Sequence, residues 1–149
     1  MVALMNEETI KYWQDFCQKH QLPQNTPVTA WLFGATSDKL ANLVKQGLKT
    51  ATTSAYELYT KDEPLPQVGD WNIILDQAAR PVCVVQDKVV EIIPYEQISA
   101  EHAYHEGDGS YQNWRRIHDE YFTKKYQEEG NKEFYPQAPM VCEVFEKID

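Results

Sequence analysis

Gly47-Leu48-Lys49-Thr50-Ala51-Thr52-Thr53-Ser54 is the stretch on which the fold turns: a glycine that ends a helix, one lysine, and four hydroxyl side chains running into extended chain. Upstream, Ser37 can cap a helix with Asp38 in its first turn and Leu40, Leu43 and Val44 as its apolar face; Gly47 then supplies a left-handed end. Downstream, β-branched and aromatic residues from Thr50 to Thr60 predict a strand or irregular extended segment, closed by the proline turn at Pro64 to Pro66. Trp71 to Leu75 follows the Gly69-Asp70 turn as a strand. Pro81 to about Ile93 predicts another, broken near Gln86-Asp87-Lys88 into a hairpin, and Met140 to Ile148 reads as a last strand returning to the sheet.

Two more helices complete the outline. Asn6 caps the first, with Glu7 and Glu8 in its opening turn and Ile10, Trp13, Phe16 and Cys17 on one face, before the Pro23 and Pro27 segment breaks it. Ser110 caps a long helix to about Glu129, with Tyr111, Trp114, His118, Tyr121 and Phe122 along one stripe. Its other face alternates Arg115-Arg116, Asp119-Glu120, Lys124-Lys125 and Glu128-Glu129, which reads as a solvated, salt-bridged surface rather than a nucleic-acid patch. Strands mixed with helices, without regular βαβ alternation, predict an α+β fold with a small curled sheet in one domain of 149 residues.

Composition narrows the function. With 42% hydrophobic residues, ordinary aromatic content and no run of apolar residues long enough to span a bilayer, the chain reads as a soluble cytoplasmic globular protein. The opening residues also lack a basic segment followed by an apolar one, so no leader is expected. Cys17, Cys83 and Cys142 are odd in number and carry no CxxC spacing, so neither a disulfide framework nor a zinc site is indicated. The net charge of −9 opposes non-specific binding to a phosphate backbone, and the excess lies C-terminally. A small nucleoside-sized ligand near the more balanced N-terminal half suits that sign.

Three clusters could carry chemistry. Lys49 and Thr52 are a lysine that desolvation would favour as a neutral amine and a hydroxyl it could deprotonate; a spacing of three brings them together only on a tight turn, and exposed residues of an ordinary strand are the plainer reading. Glu91 interrupts the apolar run Val89-Val90-Glu91-Ile92-Ile93, as an outward-facing strand residue or as a carboxylate inside a barrel. The run Glu101-His102-Ala103-Tyr104-His105-Glu106-Gly107-Asp108-Gly109-Ser110 holds metal-type donors, but Gly-Asp-Gly-Ser already serves as turn and cap, so no metal is expected. No organic cofactor is called for either.

These pieces in this order resemble the ASCH domain, over about residues 30–148 after an N-terminal helical extension of about 1–28. The landmarks are Trp31-Leu32-Phe33-Gly34, the Gly47-x-Lys49-x-x-Thr52 signature with Ser54 and Tyr56, Val68-Gly69-Asp70-Trp71, Pro81-Val82-Cys83-Val84, Glu91, Glu106-Gly107-Asp108-Gly109-Ser110, and Trp114-Arg115 followed by His118 and Tyr121-Phe122. The resemblance implies a small PUA-like β-barrel and nucleotide-type ligands. Family members that hydrolyse acetylated cytidine imply Lys49, Thr52 and Glu91 as base, nucleophile and acid. Trp31, Tyr56 and Trp71 become candidates to hold the base, and Glu106, Asp108, Ser110, Arg115 and His118 candidates for one wall of the pocket. The same fold leaves two alternatives open: an RNA-binding module, or a ribonuclease acting on single-stranded RNA. Oligomeric state is not readable from the chain.

Overall fold

The protein is described here from a computed structural model, covering residues 5–149; the first four residues of the N-terminal extension lie outside the described residues. Helix α1 (Glu7–Lys19) starts where Asn6 accepts the amide of Thr9 at 2.9 Å. It lays Trp13, Phe16 and Cys17 on Ile73, Leu75 and Val84 of the sheet. Burying the two aromatics stabilises the attachment by about 2–3 kcal/mol each. Strand β1 (Thr29–Trp31) follows, then helix α2 (Ser37–Lys45). Ser37 is not its cap. The Ser37 hydroxyl donates back to the Phe33 carbonyl at 2.6 Å, and Thr36, left-handed at φ +44°, holds the capping position without a side-chain bond.

Strands β2 (Ala51–Ala55), β3 (Trp71–Leu75), β4 (Pro81–Pro94) and β5 (Pro139–Lys147) join β1 in a curled five-strand half-barrel ordered β1-β3-β4-β5-β2. β1 runs parallel to β3, and every other pair is antiparallel. The extended segment after Thr50 is shorter than its composition suggests, because a 3₁₀ turn at Tyr56–Leu58 ends β2. β4 is one strand rather than a hairpin. Its irregularity near Lys88 is a bulge: Asp87 stands opposite Phe145, yet Val89 already stands opposite Val144.

Helices α3 (Ala100–His105) and α4 (Tyr111–Gly130) cover the outer face of β5 and β2. There Trp114, Phe122 and Tyr126 pack with Ala55, Met140 and Cys142. The inner face is lined by Trp31, Phe33, Ile74, Cys83, Val85 and Phe145. Ser110 caps α4 through the amide of Asn113 at 3.1 Å. On its outer side Lys125 and Glu129 pair at 3.4 Å, but Arg115 does not join that surface. Its guanidinium lies over Tyr95, Tyr111 and Trp114 and donates to the Tyr95 carbonyl at 2.7 Å and the Glu96 carbonyl at 3.0 Å. Among the described residues no helix is long and apolar enough to cross a membrane.

Candidate functional site

The turn between α2 and β2 folds back as its spacing requires. Gly47 has a φ of +78°, and the amides of Leu48 and Lys49 both return to the Leu43 carbonyl, at 2.9 and 3.1 Å. Lys49 is thereby aimed into the protein at 3% exposure. Its Nζ donates to the carbonyl of Ala51 at 2.8 Å, to the carbonyl of Glu106 at 3.2 Å and to Glu106 Oε1 at 3.4 Å. All the donors of an ammonium are engaged, and the Phe33 ring lies 5.1 Å below the charge.

Glu106 closes the short helix α3 and is 2% exposed. Gly107 carries the turn after it at a φ of +86°, a left-handed conformation that side chains other than glycine rarely adopt. Glu106 Oε2 accepts from Thr53 Oγ1 at 2.6 Å and Trp114 Nε1 at 2.9 Å. His102 Nε2 lies 3.5 Å from the same oxygen and 3.0 Å from Thr53 Oγ1. His118 Nε2 lies 3.5 Å from Oε1. Because His118 Nδ1 donates to the Trp114 carbonyl at 2.8 Å, a second proton on Nε2 would turn that approach into an ion pair. Burial pushes the Glu106 carboxyl up, but Lys49 and the hydrogen bonds from the histidines outweigh it and hold the group well below its ordinary value of 4.5. It is an ionised carboxylate.

Asp108 completes the wall, 4.0 Å from His118 Nδ1; burial raises its carboxyl against the pull of Lys49 and His118. Glu106, Asp108 and His118 offer donor atoms within 4.8 Å of one another, the spacing of a metal site. Lys49 Nζ at 3.4 Å from Glu106 already supplies the positive charge there, so the residues present do not call for a cation.

The structure thus brings together Lys49, Glu106, Asp108 and His118 from the expected set. Thr52 is close in sequence but faces the other way from Thr53, onto the barrel's inner face, where it stands opposite Glu143. Glu91 lies on β4. It stands opposite Cys142, which in turn stands opposite Thr53, so Glu91 lies on the outer face, exposed, away from Thr52. Ser110 is occupied as a helix cap and Arg115 in bracing α4. Trp71 packs edge-on against Phe16 at 5.4 Å under α1, and Trp31, 4% exposed, donates to Asn72 Oδ1 at 3.0 Å. Neither indole is free to stack a base, whereas Tyr56, at the end of β2, is 42% exposed. Thr53 and Trp114 were not expected as partners of Glu106, whereas His102 stands four residues before it, the spacing of one helix face.

The family model of the ASCH domain matches residues 29–149. Among solved structures, a protein from Enterococcus faecalis V583 is 32% identical, with a TM-score of 0.85, covering 97% of this chain and 95% of that one. An ASCH domain from Lactobacillus crispatus JV V101 is 26% identical, with a TM-score of 0.81, covering 93% of this chain and 90% of its own. No curated protein matches the sequence. The match spans the whole half-barrel together with the turn that buries Lys49, and the chain belongs to the ASCH domain family.

Proposed function

We propose that the protein hydrolyses a small amide on a nucleoside-type substrate such as acetylcytidine, using Lys49, Thr52 and Glu106. The observation that carries this reading is the buried Lys49–Glu106 pair at 3.4 Å, with Lys49 three residues before the buried Thr52 hydroxyl on the inner face. Two opposite charges with 3% and 2% exposure are expensive to keep out of water for stability alone, and such pairs concentrate where proton transfer is needed. Lys49 passes one proton to Glu106 as it takes the Thr52 proton, and Thr52 attacks the acyl carbon. Glu106, buried and paired with Lys49, takes the carboxylate role in place of Glu91, which is exposed.

A second reading, a binder of single-stranded RNA, is favoured by one feature, the exposed ring of Tyr56 at the strand end, which is the kind of platform bases stack on. The charge of −9 weighs against it. The test is release of cytidine from acetylcytidine by the wild type, Lys49→Ala and Glu106→Gln, with single-stranded RNA run in parallel. Turnover abolished in both variants is the expected result. RNA binding that weakens steeply with salt, without cytidine release, would replace the hydrolase reading with the second.

A further inference from the structure

The barrel's inner face carries a second polar group that the chemistry above leaves unused. Asp87 and Glu143 are 1% and 2% exposed. Glu143 stands opposite Thr52 across the β2–β5 ladder, and Asp87 opposite Phe145, so the bulge in β4 turns Asp87 to the same face. Asp87 Oδ2 accepts from Asn72 Nδ2 at 3.1 Å. Asp87 Oδ1 and Glu143 Oε2, by contrast, are buried with no donor among the described residues. Two carboxylates in that state would leave both oxygens unsatisfied and both charges in apolar surroundings. One proton held between the two groups removes a charge and gives both oxygens a partner.

The neighbours favour that proton. Asp70, ahead of β3, adds negative charge; Lys49, ahead of β2, pulls the other way; Tyr59, beyond β2 and bonded to Ser54 at 2.8 Å, is the remaining titratable neighbour. Burial raises both carboxyls, and Asp87 raises Glu143 further. Amide hydrolysis also needs a proton for the departing nitrogen, and the one that Glu106 receives from Thr52 is the one it must return to Thr52 in deacylation.

We propose that Glu143, sharing one proton with Asp87 directly opposite Thr52, is the catalytic acid that protonates the departing nitrogen, with Asp87 as its positioning residue. The inference rests on the hydrolase reading. In acylation the Thr52 Oγ–carbon bond forms and the carbon–nitrogen bond breaks; the Thr52 proton goes through Lys49 to Glu106, and the Glu143 proton goes to the nitrogen. In deacylation water adds to the acyl carbon and the Thr52 Oγ–carbon bond breaks. A proton from water restores the Asp87–Glu143 pair, and Glu106 returns its proton to Thr52 through Lys49.

The experiment compares acetylcytidine with nitrophenyl acetate, whose leaving group needs no proton, in the wild type, Glu143→Gln and Asp87→Asn, alongside a carbon-13 NMR titration of the wild-type carboxyls. Glu143→Gln should lose at least about 100-fold in amide hydrolysis and far less in ester hydrolysis. Asp87→Asn removes the charge that raises Glu143, so it should lower amide turnover at neutral pH and move the basic limb of the pH profile to lower pH, which a purely structural residue would not do. The titration should show one proton retained by the pair at neutral pH. Equal losses on both substrates, no loss on the amide, or two ionised carboxyls at neutral pH in an active enzyme would overturn the assignment and leave the hydrolase reading standing. A wild type inactive on both substrates would remove the hydrolase reading and the acid role with it.

Discussion

Replacing Lys49 with methionine is the most direct test of the buried pair. The substitution keeps the length of the side chain and removes the charge, leaving Glu106 at 2% exposure with Thr53 at 2.6 Å and Trp114 at 2.9 Å as its remaining close donors. Breaking a buried ion pair by deleting one partner costs about 3–5 kcal/mol, and those two donors place this case at the lower end, about 3 kcal/mol. The loss should depend on pH in a particular direction. Glu106 lies below its ordinary value of 4.5 in the fold, so its ionised form contributes stability above that value and loses it as pH falls through the folded-state value. Without Lys49 much of that depression disappears, so wild type and Lys49→Met should differ most near neutral pH and converge on acidification. Urea unfolding followed by tryptophan fluorescence at pH 7 and at pH about 4 reads both quantities. A neutral-pH loss below about 1 kcal/mol, the size of a surface pair, or a gap that does not narrow in acid, would refute the argument.

Three further outcomes are expected. Gly34→Ala would drive a methyl group into the Tyr121 hydroxyl and should destabilise by about 1–3 kcal/mol in thermal melts; Tyr121→Phe, which removes that oxygen, should recover most of it, and a neutral Gly34→Ala would show the contact is not tight. Glu91→Gln should leave acetylcytidine turnover within about twofold of wild type, because Glu91 is exposed and solvent screens its charge; a large loss would return Glu91 to the machinery. The three thiols are buried, with burial raising Cys83 to about 11 and Cys142 to about 12, so a thiol reagent at pH 8 should label none in the native protein and all in urea.

The helix punctuation was readable because it is local: Asn6 and Ser110 cap through amides three residues on, and Gly47 ends α2, all within one turn of chain. The strands Trp71–Leu75 and Pro139–Lys147 lie within a residue of their expected limits for the same reason. Side-chain parity along β4 was not readable. A period of two puts Asp87, Val89 and Glu91 on one face, but the bulge near Lys88 sends Asp87 inward and Glu91 outward, and nothing in the residues there announces it. The argument that singled out Glu91, a carboxylate interrupting an apolar run, applies equally to Glu143 between Cys142 and Val144; only the pairing with Thr52 distinguishes them. Arg115 misled because opposite charges four apart look solvated, while its aromatic neighbours come from Tyr95 and Tyr111, one of them twenty residues away.

The position of β5 between β4 and β2 has a consequence for how the protein is made. β2 has no other strand partner, so the strand that bears Thr52 and follows Lys49 is held in the sheet only by residues 140–144, with all of residues 56–138 looped between. Closing so long a loop is entropically slow, and it cannot begin until the final strand exists. On the ribosome, α1, β1, β3 and the first half of β4 can assemble early, while β2 waits unpaired. The candidate site is therefore among the last parts of the domain to form, and for much of synthesis the open edge of β2 is the surface most in need of shielding from other chains.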